Sequence, residues 1–497
     1  MKFVKKLPTK KDKTNRKTEL TSLVWKFFKE FWPIILLVFI FSVTYSFVSL
    51  ERHFQFRSSS YDLGIFDQAM WHYSRIELPH NTIRGFNNLL ADHFHPILVL
   101  LAPLYWVWNG AETLLVAQAV LIASAAIPIY LFAIHVLKKR SLGVLASLSF
   151  LTFWGIQHAV WFEFHEIAMA VPAIAWMLYA IERENWRIFW PAMIVVLLTK
   201  EELWVFAVFV GILLLARKHY KQGLAVFMTG LLGFVTVTKL IMPAMDRTAP
   251  DYQYWSYTAF GQDPLSSIKV IATRPWLVFT KFFENSTKIT TLFAALIPWG
   301  GLSLFSSYMI LAVPLLAQRF LSENSIYWQR NFHYSATLAP VLAVSAICGM
   351  RYVKPIALRI YKPIGKYFYE IVLTVSVMAS LIATAFGPFF DLYSADKRTS
   401  QDIVQSGGKV LALIKREDSV AAQDLFIPHI SNRKEVYGLN QIPKSGVDKI
   451  VVSSQMNSYP FENFEELQTS LAKSVNLSNY EKIFDSSGWQ VFERRLL

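Results

Sequence analysis

The chain has 497 residues, of which 54% are hydrophobic, 15% are aromatic and only 17% are charged. This composition excludes an ordinary soluble globular domain and indicates a polytopic membrane protein. The net charge of +14 does not indicate nucleic-acid binding, because the basic residues cluster at the ends of apolar stretches, as in the cytoplasmic loops of membrane proteins. The single cysteine, Cys348, excludes a disulfide framework and a metal site made of thiolates.

The first predicted element is a membrane anchor. Residues 1–32 are basic and lead into an apolar stretch without a small-residue cleavage site, so we expect an uncleaved anchor with its N-terminus in the cytoplasm. Apolar stretches recur over residues 33–388 and predict about eleven transmembrane helices, several of them shorter than the ~20 residues of a perpendicular span. The stretches are residues 33–50, 112–137, 141–156, 167–181, 187–199, 203–216, 224–242, 288–298, 302–317, 335–350 and 370–388.

A polar segment, residues 51–96, follows the first span and is predicted to be an external loop. Residues 97–108 after it form either a short span or an interfacial helix. The interfacial alternative is favoured, because the following span then ends in the cytoplasm at the basic residues 138–140, and later basic loops fall on the same side. The unusual polar segments then share the external face. They are residues 51–96, 157–166, 200–202, 243–275 and 318–335.

Residues 389–497 form a predicted extracytoplasmic α/β domain. Their hydrophobicity drops, and the runs "SVAAQ", "KIVVSS" and "WQVFERR" have the short apolar pattern of strands, with helical patterns between them. The expected fold class is therefore an all-α polytopic membrane domain followed by a small α/β domain, whose strand order local patterns do not give.

Two aspartates follow the first span in "SSSYDLGIFDQAMWHY". Asp62 and Asp67 are five residues apart, so they do not stack on one helical face, and only one is expected to point into a given site. Such a carboxylate is suited to act as a general base or as a metal ligand. The structural alternative is that Asp62 caps the helix that follows the serines, and the local sequence leaves both open.

The end of the same loop, "ADHFHP", places Asp92, His93 and His95 within four positions. If this piece is extended, as Pro96 favours, both imidazoles lie on one side. Histidine and carboxylate together bind a divalent ion, and a protonated imidazole binds phosphate. The alternative is a pair of interfacial anchors, but the density of polar residues favours a functional role.

A further cluster, Glu163, His165 and Glu166 in "FEFHE", lies at a predicted helix end. It is not a zinc-protease motif, because Met169 stands where that motif needs its second histidine. Glu163 and Glu166 share a helical face. The cluster therefore supplies metal ligands or solvates the helix end, and the sequence does not decide between these roles.

Two other segments place charged residues between apolar stretches. In "LLTKEELW", Lys200 lies between apolar runs, where a charge usually marks a site or pathway and is suited to hold a phosphate, with a tight interfacial turn as the alternative. In "YWQRNFHYS", Arg330, His333 and Tyr334 offer a cation, an imidazole and a hydroxyl to a phosphate or sugar. An interfacial aromatic belt is the alternative there, and the aromatic residues of 252–257 either belong to such a belt or stack on a sugar. No glycine-rich nucleotide motif appears.

The segments "YDLGIFDQAMW", "DHFHPILVLLAPLY", "FEFHE", "LLTKEELW" and "FHYSATLAP", in this order, resemble an uncharacterised family of bacterial and archaeal multi-span membrane proteins. That family is grouped with the GT-C glycosyltransferases, polyprenol-dependent enzymes that include protein mannosyltransferases and the aminoarabinose transferase of lipid A. The resemblance covers most of the chain, including "IPHISNRKEVYGL" and "VDKIVV" in the tail.

The resemblance implies a GT-C-like fold and a candidate base. In GT-C enzymes an acidic motif opens the first external loop, and its carboxylate serves as base or as metal-linked residue; the matching position is Asp62 or, second, Asp67. The His-Pro pair at 95–96 resembles the family's "HPP" element, and Arg330 and Tyr334 resemble a later Arg-Tyr pair. Leucine follows the first aspartate and isoleucine follows the proline, where the family has glutamate and a second proline, so the identity of the base is open.

The implied reaction is attack by an acceptor hydroxyl on the anomeric carbon of a polyprenyl-phosphate sugar, with the lipid phosphate leaving. A cation or a divalent metal ion would offset the charge of that phosphate, and the expected partners are membrane lipid and a lipid-linked sugar. The predicted substrate-binding residues are His93, His95, Lys200, Arg330, His333 and Tyr334. The predicted metal ligands are Asp92, His93, Glu163, His165 and Glu166.

Two other functions stay open. A transporter or flippase of a lipid-linked substrate would also hold polar residues in the membrane, but no paired halves with broken helices are visible in the sequence. A non-catalytic envelope assembly protein would tolerate Asp62→Ala and Asp92→Ala. The enzyme hypothesis predicts that the polar residues converge on one external cavity. The residues that should meet there are Asp62, His93, His95, Glu163 and Arg330.

Overall fold

The computed structural model describes residues 10–248, 254–385, 387–392, 394 and 398–495. Part of the basic N-terminal segment and Tyr252 lie outside these described residues. The α-helices, in chain order, are α1 (Lys10–Phe54), α2 (Ile65–Tyr73), α3 (Ala111–Ser124), α4 (Ala126–Leu137), α5 (Arg140–Leu151), α6 (Trp154–Phe162), α7 (Ile167–Glu182), α8 (Trp186–Leu197), α9 (Leu203–Ala216), α10 (Tyr220–Thr236), α11 (Met242–Met245), α12 (Pro264–Thr273), α13 (Trp276–Phe283), α14 (Ser286–Leu296), α15 (Ala312–Phe320), α16 (Leu338–Ile360), α17 (Phe368–Ala385), α18 (Gln401–Leu413) and α19 (Phe464–Ser474).

Among the described residues, five helical segments are long and apolar enough to cross a membrane. A sixth span results if α5 and α6, which meet at 47°, cross as one bent pair. The expected count of about eleven is therefore not confirmed, because several predicted stretches form apolar helices of 10–17 residues instead. The five long segments are Phe31–Phe54, Ala111–Leu137, Tyr220–Met245, His333–Ile360 and Phe368–Leu392.

The predicted stretch at 302–317 is not one continuous helix. Gly300 and Gly301 precede it with φ angles of 59° and 67°, left-handed conformations that glycine adopts without steric penalty and that end a helix. Short 3₁₀ turns follow before α15 begins at Ala312. Residues 97–108 likewise form a short 3₁₀ helix, Pro96–Trp106, rather than a long span.

The helices differ strongly in burial. Of the apolar window in His333–Ile360, which contains α16, 83% is buried inside the protein, compared with 22% for the windows in α1 and around α10. A helix that is apolar all round and buried belongs to the interior of a bundle, whereas exposed apolar helices face lipid. Helix α10 packs closely on α9, because Gly211 leaves room for the backbone of Phe227.

Residues 420–494 contain a five-stranded sheet. Its strands are β1 (Val420–Ala422), β2 (Val436–Gly438), β3 (Lys449–Ser453), β4 (Tyr480–Ser486) and β5 (Trp489–Arg494). Their order is β2-β1-β3-β5-β4, with β1 parallel to β2 and β3, and β5 antiparallel to β3 and β4. The three runs proposed from sequence are β1, β3 and β5. The other two strands lie at the edges of the sheet, where the apolar pattern is weakest.

Both faces of this sheet are covered. On one face, Leu467 and Leu471 of α19 pack against Ile450 and Val452 of β3. On the other face, α18 and Trp489 pack against residues from the loop that follows α1, Phe56 and Ile65 among them. The α/β domain is therefore seated on the segment that the sequence marks as functional, residues 51–96.

Candidate functional site

A cavity of about 1370 Å³ lies where the segment 51–96, the ends of the central helices and the α/β domain meet. Its volume exceeds the ~300–1,000 Å³ of a typical small-molecule site. The lining includes a cluster of acids, histidines and cations, called here the polar end, and apolar side chains of α10 and α12, called here the apolar end. The cavity therefore has the character of a site for a ligand with a polar head and a long apolar part.

Asp62 lies on a tight turn at the polar end, between α1 and α2. Its backbone has φ 85° and ψ −80°, close to a γ-turn that is rare and strained for any residue other than glycine. Such strain of about 1–3 kcal/mol persists only where surrounding contacts impose it, and it is concentrated at functional sites. The Asp62 side chain is half-buried and lines the cavity. Burial raises the pKa of Asp62, and the nearby His165 opposes that rise.

Two buried histidines face Asp62. One ligand atom from each of Asp62, His165 and His333 lies within 4.8 Å of the others. His165 follows the end of α6, and His333 lies on a 3₁₀ turn just before α16. Their rings stack with centroids 3.6 Å apart. The turn before α2, the end of α6 and the start of α16 therefore bring one carboxylate and two imidazoles together.

Glu166 neutralises the positive charge beside this group. One carboxylate oxygen is 2.8 Å from His165 Nδ1 and the other is 3.0 Å from Lys200 Nζ. Burial alone would raise the pKa of Glu166, but His165 and Lys200 hold it well below its ordinary value. Lys200 lines the cavity, and its charge is balanced by this glutamate.

Asp92 and His93 form two further ion pairs in the cavity wall. Arg84 donates two hydrogen bonds to Asp92, at 3.1 and 3.0 Å, and the Tyr254 hydroxyl donates a third at 2.7 Å. His93 Nδ1 is 2.7 Å from Glu201 Oε1, and its ring stacks on Tyr254. Burial would raise the pKa of Glu201, but His93 lowers it to about 2. These contacts occupy the groups that the sequence offered as metal ligands.

Glu163 and His95 take different places in the same wall. Glu163 accepts hydrogen bonds from Arg52 at 2.9 Å and from the backbone N–H of Ser59 at 2.7 Å, so it fixes the turn that leads to Asp62. His95 lines the cavity beside Phe66. Burial lowers the pKa of His95 to about 4, so its imidazole is neutral near pH 7 and is suited to accept or donate a single hydrogen bond.

Two predicted residues lie elsewhere. Arg330 is exposed and is absent from the described cavity lining, whereas Tyr334 lines the cavity. Asp67 is buried away from the cavity, where it accepts hydrogen bonds from the hydroxyls of Tyr105 and Ser431, each at 2.7 Å. Asp67 therefore links the helical bundle to the α/β domain, and Asp62 is the one of the two aspartates that faces the cavity.

Arg319, which the sequence analysis did not single out, lines the cavity where Arg330 does not. It is buried and donates to the carbonyls of Tyr327 and Gln329 and to the Ser335 hydroxyl, at 2.9, 3.0 and 2.9 Å. These bonds hold the loop that carries His333. The sequence signal was present, because an arginine at the end of an apolar stretch is rare unless it has a structural or functional role.

The apolar end of the cavity includes one face of the continuous helical segment Tyr220–Met245, which begins with α10. Its lining residues follow the spacing i, i+3, i+4, i+7 and i+8 of a single helical face. These residues are Leu231, Phe234, Val235, Thr238 and Lys239. Lys239 lies on a π-helical turn, Val237–Ile241, and no described carboxylate lies within ion-pair distance of it. An apolar track ending in an unpaired cation suits a lipid with an anionic head group.

A family model described as "Predicted membrane protein (DUF2079)" matches residues 52–489, which is most of the chain. The chain therefore belongs to this family of membrane proteins, and the resemblance drawn from its motifs is confirmed. No curated protein sequence matches the chain.

Two solved structures share the fold. ArnT from Cupriavidus metallidurans bound to undecaprenyl phosphate matches with a TM-score of 0.57 at 10% identity, over 92% of this chain and 97% of that one. The same protein in the apo state matches with a TM-score of 0.55 at 11% identity, over the same shares. The chain therefore shares the fold of ArnT.

Proposed function

We propose that this membrane protein is a glycosyltransferase that moves a sugar from a polyprenyl-phosphate donor to an acceptor hydroxyl at the polar end of the cavity. The observation that carries the proposal is the cavity itself, in which an apolar track on α10 leads to a strained, half-buried Asp62. The fold shared with ArnT, one of whose structures holds undecaprenyl phosphate, supports it at the level of architecture. In this proposal the polar end and the α/β domain face the outside of the cell.

Asp62 is the proposed general base. The acceptor oxygen forms a bond to the anomeric carbon while the bond from that carbon to the phosphate oxygen breaks, and the electron pair leaves with the polyprenyl phosphate. The acceptor's proton passes to the Asp62 carboxylate. A positioned base of this kind typically contributes about 10²–10⁴-fold to the rate. His95 and Tyr334, which also line the cavity, are placed to orient the sugar.

The donor is proposed to enter from the bilayer along α10. Leu231, Phe234 and Val235 would contact the polyprenyl chain, and Lys239 would pair with the phosphate as it reaches the polar end. Lys200 is buried and pairs with Glu166 at 3.0 Å, whereas Lys239 is exposed. Lys239 is therefore the better proposed first contact for the phosphate, with Lys200 next along the path.

A divalent metal ion is the proposed cofactor. One carboxylate and two imidazoles fit a zinc-like or manganese-like ion, whose bonds to such ligands are about 2.0–2.2 Å long. Asp62, His165 and His333 would hold the ion, with one Asp62 oxygen as ligand and the other left to take the acceptor's proton. Of the ligands predicted from sequence, His165 belongs to this group, and its Nδ1 also pairs with Glu166. Asp92, His93 and Glu163 are engaged in ion pairs with other residues. When bound, the ion would supply positive charge toward the departing phosphate.

The test is an assay for released polyprenyl phosphate. The purified protein in lipid is incubated with a panel of polyprenyl-phosphate sugars, with a divalent metal or with a chelator. We expect release from at least one donor, its loss in the chelator and its recovery when metal is restored. Release that persists in the chelator would rule out the metal, and release from no donor under either condition would contradict the enzyme. Movement of a labelled lipid across the bilayer without release would instead favour a flippase.

A further inference from the structure

We propose that Asp424, in the α/β domain, is a positioning residue that holds the turn carrying Asp62, so that the domain is a structural part of the active site. This inference rests on the proposed function for the role of Asp62, but its structural basis is independent of any substrate. Asp424 lies just after β1 and is itself at the edge of the cavity.

The contact is a single oxygen that accepts three hydrogen bonds. Asp424 Oδ1 lies 2.9 Å from the backbone nitrogen of Ser60, 2.5 Å from Ser60 Oγ and 3.1 Å from Ser59 Oγ. Ser60 is buried. Its N–H therefore depends on Asp424, because a buried backbone donor left without a partner is strongly unfavourable.

The helical bundle holds the same turn from the other side. Glu163 accepts the backbone N–H of Ser59 at 2.7 Å, and Ser59 Oγ in turn accepts the N–H of Tyr61 at 3.0 Å. The turn is thus clamped between two carboxylates, one from each part of the protein. Directly after the clamp, the Asp62 backbone adopts its positive φ of 85°, a conformation that requires imposed contacts.

Two apolar contacts extend the clamp to both sides of Asp62. The ring of Tyr61 meets Tyr459 of the α/β domain edge to face, with centroids 5.8 Å apart. Gly64 packs so closely against Ile427 that an added Cβ would lie 3.2 Å from its methyl group. The α/β domain therefore contacts Tyr61 and Gly64, on either side of Asp62, through apolar groups. Asp424 supplies the hydrogen bonds of the same contact.

The first test is hydrogen exchange on the purified full-length protein. In Asp424→Ala we expect the amides of residues 60–64 to exchange about tenfold faster or more, because the Ser60 N–H loses its acceptor. Asp424→Asn keeps a carbonyl oxygen at the same place and should restore protection. Asp485→Ala is the matched control, since Asp485 is an exposed aspartate of the same domain that contacts only surface neighbours.

The second test is kinetic, on whichever donor the wild-type protein cleaves. We expect Asp424→Ala to lower kcat about tenfold or more while KM for the donor stays unchanged, because the base is displaced and the lipid track is not. Asp424→Asn should regain most of kcat. Ser60→Ala, which removes one of the three donors, should give a smaller loss in the same direction.

The outcomes separate this inference from the proposed function. Unchanged exchange in Asp424→Ala, or equal losses in Asp424→Ala and Asp424→Asn, overturns the positioning role. Faster exchange with no change in kcat also overturns it, since the turn would then move without affecting the reaction. If the wild-type protein releases no polyprenyl phosphate but the exchange pattern is as expected, the proposed function fails while the clamp on the turn stands.

Discussion

Asp62 combines an unfavourable backbone conformation with a position in the cavity lining beside His165 and His333. Its φ of 85° is natural for glycine, yet the chain keeps an aspartate there. Residues whose presence lowers stability are usually retained for activity. Under the proposed function, the carboxylate is the feature for which the strain is tolerated.

Two substitutions of Asp62 measure the backbone strain separately from the loss of the carboxylate. Asp62→Gly should be more stable than Asp62→Ala by about 1–2 kcal/mol, because both lose the carboxylate but only alanine keeps a Cβ in this conformation. Thermal unfolding of the two variants in detergent gives the comparison. If alanine is as stable as glycine at this position, the backbone strain is not real.

Asp67, the second aspartate after the first span, is buried and has a raised pKa. Burial raises its pKa from 3.8 to about 7, although the hydrogen bonds from Ser431 and Tyr105 oppose the rise. The folded protein therefore binds this proton more tightly than the unfolded chain. The stabilising effect is complete below about pH 4 and is lost as the pH rises through about 7.

The pH dependence of stability tests this state of Asp67. Between about pH 4 and 7 the free energy of unfolding should fall by on the order of a few kcal/mol in the wild-type protein. Asp67→Asn has no proton to lose, so its unfolding should depend less on pH over that range. The same slope in both proteins would show that Asp67 is not the group responsible.

At the scale of elements, α10 combines an exposed apolar surface with a face that lines the cavity. It is exposed along much of its length and packs on the bundle mainly through α9. The face that lines the cavity is apolar at Leu231, Phe234 and Val235 and then presents Thr238 and Lys239. A charge inside a span is unfavourable unless it has a partner or reaches the interface, and a lipid phosphate supplies such a partner.

Lys239→Gln should therefore weaken donor binding without changing the chemical step. We expect KM for the polyprenyl-phosphate donor to rise about tenfold, as for the loss of one charge-assisted hydrogen bond, with kcat unchanged. The control is Lys221→Gln, an exposed lysine near the start of the same helix. Equal effects from both variants would argue for a general loss of charge rather than a phosphate contact.

The elements also show where sequence patterns carry structural information. The three strands expected from "SVAAQ", "KIVVSS" and "WQVFERR" are present, because central strands need continuous apolar runs. The edge strand β4 carries charged residues and lacks a continuous apolar run, so the sequence pattern did not indicate it. The number of spans was not predictable, because the breaks at Gly300–Gly301 and between α5 and α6 depend on how neighbouring helices pack.

At the scale of the whole molecule, segments far apart in sequence meet at one cavity. Asp62, His93, His95 and Glu163 line it together as the motifs suggested, but Arg330 does not. The alternation of spans across the membrane predicts at which end of the bundle a segment lies. It does not predict which side chains contact one another there. The contacts of Arg84 with Asp92 and of Asp424 with Ser60 needed the three-dimensional structure.

The measurement that tests the central claim most directly compares polyprenyl-phosphate release by Asp62→Asn and Asp67→Asn, two equivalent changes five residues apart. We predict that Asp62→Asn loses about 10²–10⁴-fold in rate, as expected for removal of a general base, while Asp67→Asn keeps most of its activity. If Asp67→Asn is the inactive variant and Asp62→Asn turns over normally, the proposed site is wrong.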